Sequence, residues 1–196
     1  MRSIVKKDST GRRYRLRHLL ALALIAAPGA ALADSDNFVE VARGKALVAA
    51  GDCIACHTAP NGVPFAGGLA LQTPFGAIMT PNITPDNATG IGSWSADDFA
   101  HAMHEGRRPN GTRLYPAFPY TYYTKVTRAD SDAIFAYLRS LEPVSNGVNR
   151  NTLPFPFNIR ASMAGWNSLF FTPGEFRPDP AKSEEYNRGA YLVEGL

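Results

Sequence analysis

The sequence predicts an all-α domain of about three main helices with long loops, followed by a proline-rich extension. Three observations support this prediction. Apolar residues recur at helical spacing over residues 37–50, 95–105 and 127–141. Residues 58–94 are rich in glycine, proline and asparagine and show little periodicity, which indicates a long loop. Residues 143–186 hold six prolines, as is typical of a linker.

The first helix, residues 37–50, leads directly into the two cysteines of the chain. Its apolar face is formed by Phe38, Val41, Ala42 and Ala46. Gly44 lies inside the helix and costs about 1 kcal/mol against alanine. A glycine there predicts that another element crosses closely, with a tolerated surface glycine as the alternative.

The second helix is predicted to begin at Ser95, with Asp98 three residues later as in a capping box. Gly106 suits the position that follows its last turn. His101 and His104 lie three residues apart, whereas a helical metal pair more often uses a spacing of four. Both histidines are therefore expected to be solvated or satisfied in the core, not ligands.

The third helix is predicted over residues 127–141, with Thr127 as its cap and Asp130 three residues on. Its apolar stripe is formed by Ile134, Tyr137, Leu138 and Leu141. The first and last helices are expected to cross at Gly44 and an aromatic side chain such as Tyr137.

The motif Cys53-Ile54-Ala55-Cys56-His57 has the spacing of a c-type haem attachment site. Two thiols on one turn can each add to a haem vinyl group, and the adjacent His57 then supplies an axial nitrogen to the iron. A redox dithiol is the main alternative, but it expects a βαβ context, which is not visible. A zinc site needs more ligands than one cysteine pair supplies.

Residues 1–33 resemble a secretory signal peptide: residues 6–17 are basic, residues 19–27 are apolar, and Ala31-Leu32-Ala33 suits cleavage. The apolar part is too short to span a membrane. The precursor carries 20 basic and 17 acidic residues. The signal holds seven basic residues and one acidic residue, so residues 34–196 hold 13 and 16, a net charge of −3. This charge gives no reason to expect nucleic acid as a partner.

From about residue 38 to the end, the chain resembles the cytochrome c subunits of bacterial membrane-bound alcohol, gluconate, fructose and aldehyde dehydrogenases. The resemblance covers nearly all of residues 34–196. It rests on the stretches 43–44, 51–58, 64–68, 73–76, 82–86, 90–94, 114–120 and 154–158.

The resemblance implies a cytochrome c-like haem domain over residues 34–142, holding one haem c bound through Cys53, Cys56 and His57, with His57 as the iron ligand. It implies no catalytic residue. The implied role is to carry electrons from a dehydrogenase catalytic subunit to ubiquinone, in a periplasmic complex associated with the cytoplasmic membrane. The chain would then be an electron-transfer subunit that does not itself convert the substrate. A free-standing single-haem shuttle and a thiol–disulfide oxidoreductase are the alternatives.

Two features depart from the family pattern. Family members usually carry three haem sites, whereas this sequence has one motif. Residues 188–193 repeat residues 43–48 at an offset of 145, so residues 187–196 are interpreted as the start of a second haem domain in a fragment, after a linker at 143–186. These last ten residues are expected to be disordered or loosely packed. Phe118 stands where the family has the methionine ligand of the iron, which leaves the sixth ligand unassigned.

Overall fold

The computed structural model describes residues 29–196 and gives side-chain burial from residue 37 onward. The predicted signal peptide therefore lies outside the described residues except for residues 29–33. The chain divides into two compact units, Met1–Phe38 and Val39–Leu196. Of the first unit, only the start of a helix is described, and all packing reported below belongs to the second.

The described residues form seven helices and one two-stranded hairpin. The helices are α1 (Gly29–Ala50), α2 (Cys53–Cys56), α3 (Ala96–Glu105), α4 (Tyr120–Tyr123), α5 (Arg128–Arg139), α6 (Ser162–Phe170) and α7 (Glu184–Gly195), and the strands are β1 (Ala70–Thr73) and β2 (Gly76–Met79). Among residues 29–196, no helix has the length and apolar character needed to cross a bilayer.

The predicted ends of α3 are confirmed. The Ser95 hydroxyl accepts a hydrogen bond from the amide of Asp98, and the Asp98 carboxylate accepts one from the amide of Ser95. This is the reciprocal capping box that the sequence predicted. Gly106 closes the helix with a φ of 61°, a left-handed conformation that glycine adopts without steric cost.

Helix α5 begins as predicted, because the Thr127 hydroxyl accepts a hydrogen bond from the amide of Asp130. It ends at Arg139, two residues before the predicted Leu141. The predicted close crossing at Gly44 is also confirmed. A Cβ atom at this position would collide with the carbonyl of Ala133 in α5 and would lie 2.9 Å from the Cβ of Tyr137.

The core joins buried residues of α1, α3 and α5 with residues of the connecting segments. The rings of Phe99 and Phe135 stack with their centroids 5.1 Å apart, which links α3 to α5. The buried apolar members are Leu47, Val48, Phe65, Ile91, Phe99, Met103, Tyr123, Ala133, Ile134 and Leu138. This core is contributed by segments far apart in the sequence.

The expectation of a loop without secondary structure over residues 58–94 is wrong in part. Strands β1 and β2 pair in antiparallel register from Ala70 opposite Met79 to Thr73 opposite Gly76. Gly76, with a φ of 112°, makes the tight connection possible. The outer edge of β2 is paired as well, because the amide of Thr152 donates to the carbonyl of Ala77 at 2.9 Å.

The proline-rich extension is not a bare linker, because it contains α6 and contacts the rest of the unit. Tyr120 is fully buried, and its hydroxyl lies 2.6 Å from the side-chain amide of Asn167 in α6. The ring of Phe171 meets the ring of Tyr120 at 5.2 Å in an edge-on arrangement. The boundaries at residues 142 and 186 stay predictions, but residues on both sides of residue 142 are in contact.

The expectation that residues 187–196 are disordered or loosely packed is wrong. These residues belong to α7, and Tyr191 is only 5% exposed. The side chains of Leu192 and Leu196 lie against the core. Tyr191 finds its hydrogen-bond partners in α5 and its cap, which the local sequence of α7 does not reveal.

Candidate haem attachment site

The two cysteines lie on the single turn of α2. The chain leaves α1, turns at Asp52 with a left-handed φ of 46°, and enters α2 directly. The amide of His57 donates to the carbonyl of Cys53 at 3.0 Å and closes the turn. This local geometry puts both thiols and the imidazole on one short segment, as the motif predicts.

A hydrogen bond at Nδ1 holds the imidazole of His57 in place. Its ring is buried, and Nδ1 lies 2.8 Å from the carbonyl oxygen of Pro81, to which it donates. The carbonyl of His57 accepts from the amide of Gly67 at 2.8 Å, which fixes the backbone. Since Nδ1 is engaged, Nε2 is the ring nitrogen left to bind a metal.

Burial also determines the charge of this imidazole. Burial lowers the pKa of His57, and the hydrogen bond to Pro81 opposes this shift. A lowered pKa favours the neutral ring, which is the form that binds iron. The Pro81 carbonyl therefore orients the ring while its surroundings keep it uncharged.

The loop that presents Pro81 is fixed by the buried amide of Asn82. The Asn82 nitrogen donates to Thr89 Oγ1 at 2.9 Å and to the carbonyl of Val144 at 2.7 Å. The Asn82 oxygen accepts from the amide of Thr84 at 2.9 Å. Neither Pro81 nor Asn82 was predicted to act at this site. The sequence did offer a signal for Asn82, because asparagine often forms an Asx-turn, in which its side-chain oxygen accepts from the amide two residues later.

The two thiols differ in their surroundings. Cys56 is exposed, whereas Cys53 is partly buried against the core. Burial is the main reason why the pKa of Cys53 is raised to about 11. A redox dithiol needs a nucleophilic cysteine with a lowered pKa. The environment of Cys53 raises its pKa instead, which disfavours the thiol–disulfide alternative.

Phe118, like Cys53, packs against the buried core. It is partly buried, and its ring centroid is 5.2 Å from that of Tyr123. Burial raises the pKa of Tyr123, and the nearby charges of Cys53 and Cys56 raise it further. Tyr123 thus contacts Phe118 and lies within electrostatic range of both cysteines. Phe118 carries no atom that can bind iron, so the sixth ligand stays unassigned.

The two histidines of α3 are not gathered into a metal site. His101 is exposed and lies 3.8 Å from Glu105. His104 is half-buried, and its Nε2 has no hydrogen-bond partner among the described residues. Within residues 37–196, no group of three or more histidine, cysteine or carboxylate side chains is arranged to hold a metal ion.

The residues around α2 fit a covalently attached haem. The available donor set is one oriented, neutral imidazole and two thiols on one turn, which is the set that c-type attachment uses. Apolar side chains, including Phe65 and Phe118, lie in the adjoining core. Cys53, Cys56 and His57 are therefore the residues that would hold the group.

Comparisons with known proteins agree with a site for covalently attached haem. The family model described as Cytochrome c matches residues 41–142, just over half of the chain. The chain is 53% identical to a subunit of the nicotinate dehydrogenase of Pseudomonas putida over 154 residues, which are 79% of this chain and 13% of that protein. It is 43% identical to the gluconate 2-dehydrogenase cytochrome c subunit of Pantoea cypripedii over 184 residues, 92% of this chain and 42% of that protein.

A third relative, a diheme cytochrome c-type protein of Cereibacter sphaeroides, is 39% identical over 163 residues. The match covers 80% of this chain and 54% of that protein. The chain thus spans between about an eighth and about half of the length of these curated relatives.

Proposed function

This chain belongs to the cytochrome c family, and we propose that it binds one haem c through Cys53, Cys56 and His57 and transfers electrons within a dehydrogenase complex. The observation that carries the proposal is the buried imidazole of His57, held at Nδ1 by the Pro81 carbonyl at 2.8 Å. A ring fixed in this way presents Nε2 as an iron ligand.

A bound haem c supplies one-electron redox chemistry. The protein's own residues set the conditions for it. Pro81 and Asn82 keep the imidazole in one orientation, and the surrounding core keeps water away from it. Apolar burial and hydrogen bonding to an axial ligand are two of the means by which proteins adjust a haem potential.

The proposed electron donor is the catalytic subunit of a dehydrogenase, and the proposed acceptor is ubiquinone in the cytoplasmic membrane. The names of the relatives support a donor of this kind, because they are subunits of nicotinate, gluconate, alcohol and fructose dehydrogenases. The complex would lie on the periplasmic side, since c-type haem is attached after export. The substrate is converted on the partner subunit.

Haem attachment is tested by staining the exported protein for haem after denaturing electrophoresis. Wild type should stain, whereas Cys53→Ala/Cys56→Ala should not, because no thioether can form. His57→Ala should lose the normal axial ligand, and His101→Ala, which changes an exposed histidine, serves as the matched control. Haem that stays bound to the double cysteine variant after denaturation would refute covalent attachment.

The electron path is tested in membranes of the native host. Nicotinate, gluconate, ethanol and fructose are added in turn, and the haem absorbance of this protein is followed. One of them should reduce the haem, and added ubiquinone should reoxidise it. Deleting the gene should abolish ubiquinone reduction by that substrate. Undiminished quinone reduction in the deletion strain would contradict the proposed role. Recovery of the haem protein in the soluble periplasmic fraction would favour a free-standing shuttle.

A further inference from the structure

Arg108 and Arg113 lie in the loop that joins α3 to α4, and Arg160 contacts this loop from the later part of the chain. The amide of Arg108 donates to the carbonyl of Thr112 at 3.0 Å, which folds this loop onto itself. A guanidinium nitrogen of Arg160 donates to the carbonyl of Arg113 at 2.9 Å. The guanidinium carbon of Arg160 also lies 4.5 Å from the ring centre of Tyr115. The head of Arg160 is therefore held in place before any ligand arrives.

The positive charge of this cluster is not neutralised within the described part of the chain. Across residues 37–196, Arg108, Arg113 and Arg160 have no carboxylate oxygen within 4.0 Å. Burial lowers the pKa of Arg108, and the positive charge of Arg160 lowers it further. A partly buried charge is costly without a counter-charge. The cluster therefore fits a negatively charged group.

A shallow cleft lies between two of these arginines. Its walls are Gly111, Thr112, Arg113, Arg160, Ala161 and Ala164. Apart from the arginines, the lining side chains are small, which leaves room for a group of the size of a phosphate. The planar fork of arginine is well suited to bind phosphate oxygens.

Exposed apolar side chains adjoin the cluster. The hydroxyl of Tyr115, on which Arg160 stacks, donates to the carbonyl of Phe157 at 2.9 Å. The Phe157 ring lies 4.5 Å from the ring of Phe75 in the hairpin turn. Phe155, two residues before Phe157, is 78% exposed. These contacts join Arg160 to Phe157 and Phe75 through Tyr115. We call the surface that contains them the Arg–Phe face and include their neighbours Arg108, Arg113, Phe155 and Ile159.

We propose that the Arg–Phe face binds the surface of an anionic phospholipid bilayer, with a lipid phosphate in the cleft and the phenylalanine rings among the acyl chains. This inference rests on the proposed function and adds the surface by which the chain meets the membrane. Charge complementarity and interfacial aromatic rings both support it. Phe75, Phe155 and Phe157 stand on turns, which suits insertion into a fluid interface better than contact with a flat protein surface.

Vesicle sedimentation with the haem-loaded protein tests the proposal. Vesicles of phosphatidylcholine with about 30% phosphatidylglycerol should sediment the wild type, and pure phosphatidylcholine should not. Arg108→Gln/Arg160→Gln should weaken binding by about 30-fold through the loss of two charges. Phe155→Ser/Phe157→Ser should weaken it by about tenfold or more.

Matched controls change the same residue types elsewhere in the chain. Arg177→Gln removes an exposed charge, and Val193→Ser removes an exposed apolar side chain of α7. Both should sediment like the wild type. The visible haem spectrum and far-ultraviolet circular dichroism verify that each variant is folded.

Four outcomes would overturn the proposal. In the first, variants of the Arg–Phe face sediment like the wild type. In the second, pure phosphatidylcholine vesicles bind the protein as well as anionic vesicles do. In the third, titrated inorganic phosphate binds at the arginines while vesicles do not bind, which would identify a site for a free oxyanion. In the fourth, vesicles do not bind, but Arg108→Gln/Arg160→Gln slows haem reduction by the dehydrogenase, which would identify a contact with that protein. Failure of vesicle binding leaves haem staining and substrate-dependent reduction intact, so the two proposals are separable.

Discussion

The hydroxyl of Tyr191 in α7 lies 2.5 Å from a carboxylate oxygen of Asp130 in α5 and donates a hydrogen bond to it. The same hydroxyl accepts from the amide of Thr127 at 3.1 Å. A guanidinium nitrogen of Arg43 lies 2.6 Å from the other carboxylate oxygen, an electrostatic contact without hydrogen-bond alignment. Arg188, the repeat counterpart of Arg43, lies 3.8 Å from this carboxylate. One buried carboxylate therefore meets both repeat-related helices.

Tyr191→Phe is expected to reduce the free energy of unfolding by about 1.5–3 kcal/mol, the range for a hydrogen bond to a charged group. It should also loosen α7, so hydrogen exchange should accelerate most in residues 188–196. Urea unfolding and exchange mass spectrometry measure the two effects. Tyr186→Phe, which changes an exposed tyrosine of the same helix, should do neither. Equal effects of the two variants would contradict the assigned role.

Gly44→Ala is expected to destabilise the protein by about 3 kcal/mol, because the new methyl group would meet the backbone carbonyl of Ala133. Gly189 is its repeat counterpart in α7, and a methyl group added there would meet no atom of another element within 4 Å. Gly189→Ala should therefore raise stability by about 0.5–1 kcal/mol through helix propensity. Thermal unfolding of both variants measures the difference. Similar changes of stability would show that the crossing at Gly44 is not tight.

Asn82→Ala is expected to reduce stability by about 2–3 kcal/mol, since it leaves buried hydrogen-bonding groups without partners. It should also shift the haem reduction potential, because the loop that holds the Pro81 carbonyl against His57 would loosen. Redox titration separates this positioning effect from stability alone. Asn110→Ala, at an exposed Asx-turn, is the matched control and should leave the potential unchanged. An unchanged potential in Asn82→Ala would contradict the positioning role.

Phe118→Met is expected to supply a sulfur ligand to the iron and raise the reduction potential. In the wild type, the reduced haem should bind carbon monoxide, and the oxidised haem should lack the iron–sulfur charge-transfer band. The Phe118 ring contacts Tyr123 at a centroid distance of 5.2 Å, so Phe118→Leu is the control for lost ring contact. Optical spectra with and without carbon monoxide provide the measurement. A charge-transfer band already present in the wild type would refute the idea and direct mutation to Met79 or Met103.

The pH dependence of stability should contain a contribution from His104. Burial lowers the pKa of His104; the charges of Glu175, Glu105 and Asp132 oppose this shift, and that of Arg128 adds to it. The unfolded chain binds its proton near pH 6.5, before the folded chain does. The free energy of unfolding should therefore fall as the pH decreases below about 6.5 towards the folded pKa. Urea unfolding at several pH values should show a smaller fall for His104→Gln, and an unchanged slope would contradict this assignment.

Local signals in the sequence predicted the features that depend on neighbouring residues. Ser95 and Gly106 bound α3 as expected because capping involves residues only a few positions apart. Gly44 indicated a close crossing because a glycine inside a helix is itself a local signal, although its partner Ala133 lies in α5. The motif at α2 likewise defines its own geometry, since Cys53 and Cys56 need only one turn.

The remaining features depend on partners distant in the sequence. Pro81 holds His57 from 24 positions away, and no periodicity marks a carbonyl oxygen for that role. Strands β1 and β2 have four residues each, too few for a clear alternation. Residues 187–196 were expected to be loose because they were interpreted as the start of an incomplete second haem domain. The packing of α7 escaped that interpretation, since the partner of Tyr191 is Asp130, which lies 61 positions earlier.

The pairing of Thr152 with Ala77 has a consequence for the solubility of the protein. An unpaired strand edge is a template for strands of other molecules and a cause of aggregation. Here Asn151 and Thr152 occupy the amides on the outer side of β2. That protection comes from residues beyond the predicted domain boundary at 142. A recombinant haem domain that stops at this boundary would expose the edge of β2. A fragment that resists aggregation must therefore extend beyond residue 152, further than the haem motif alone requires.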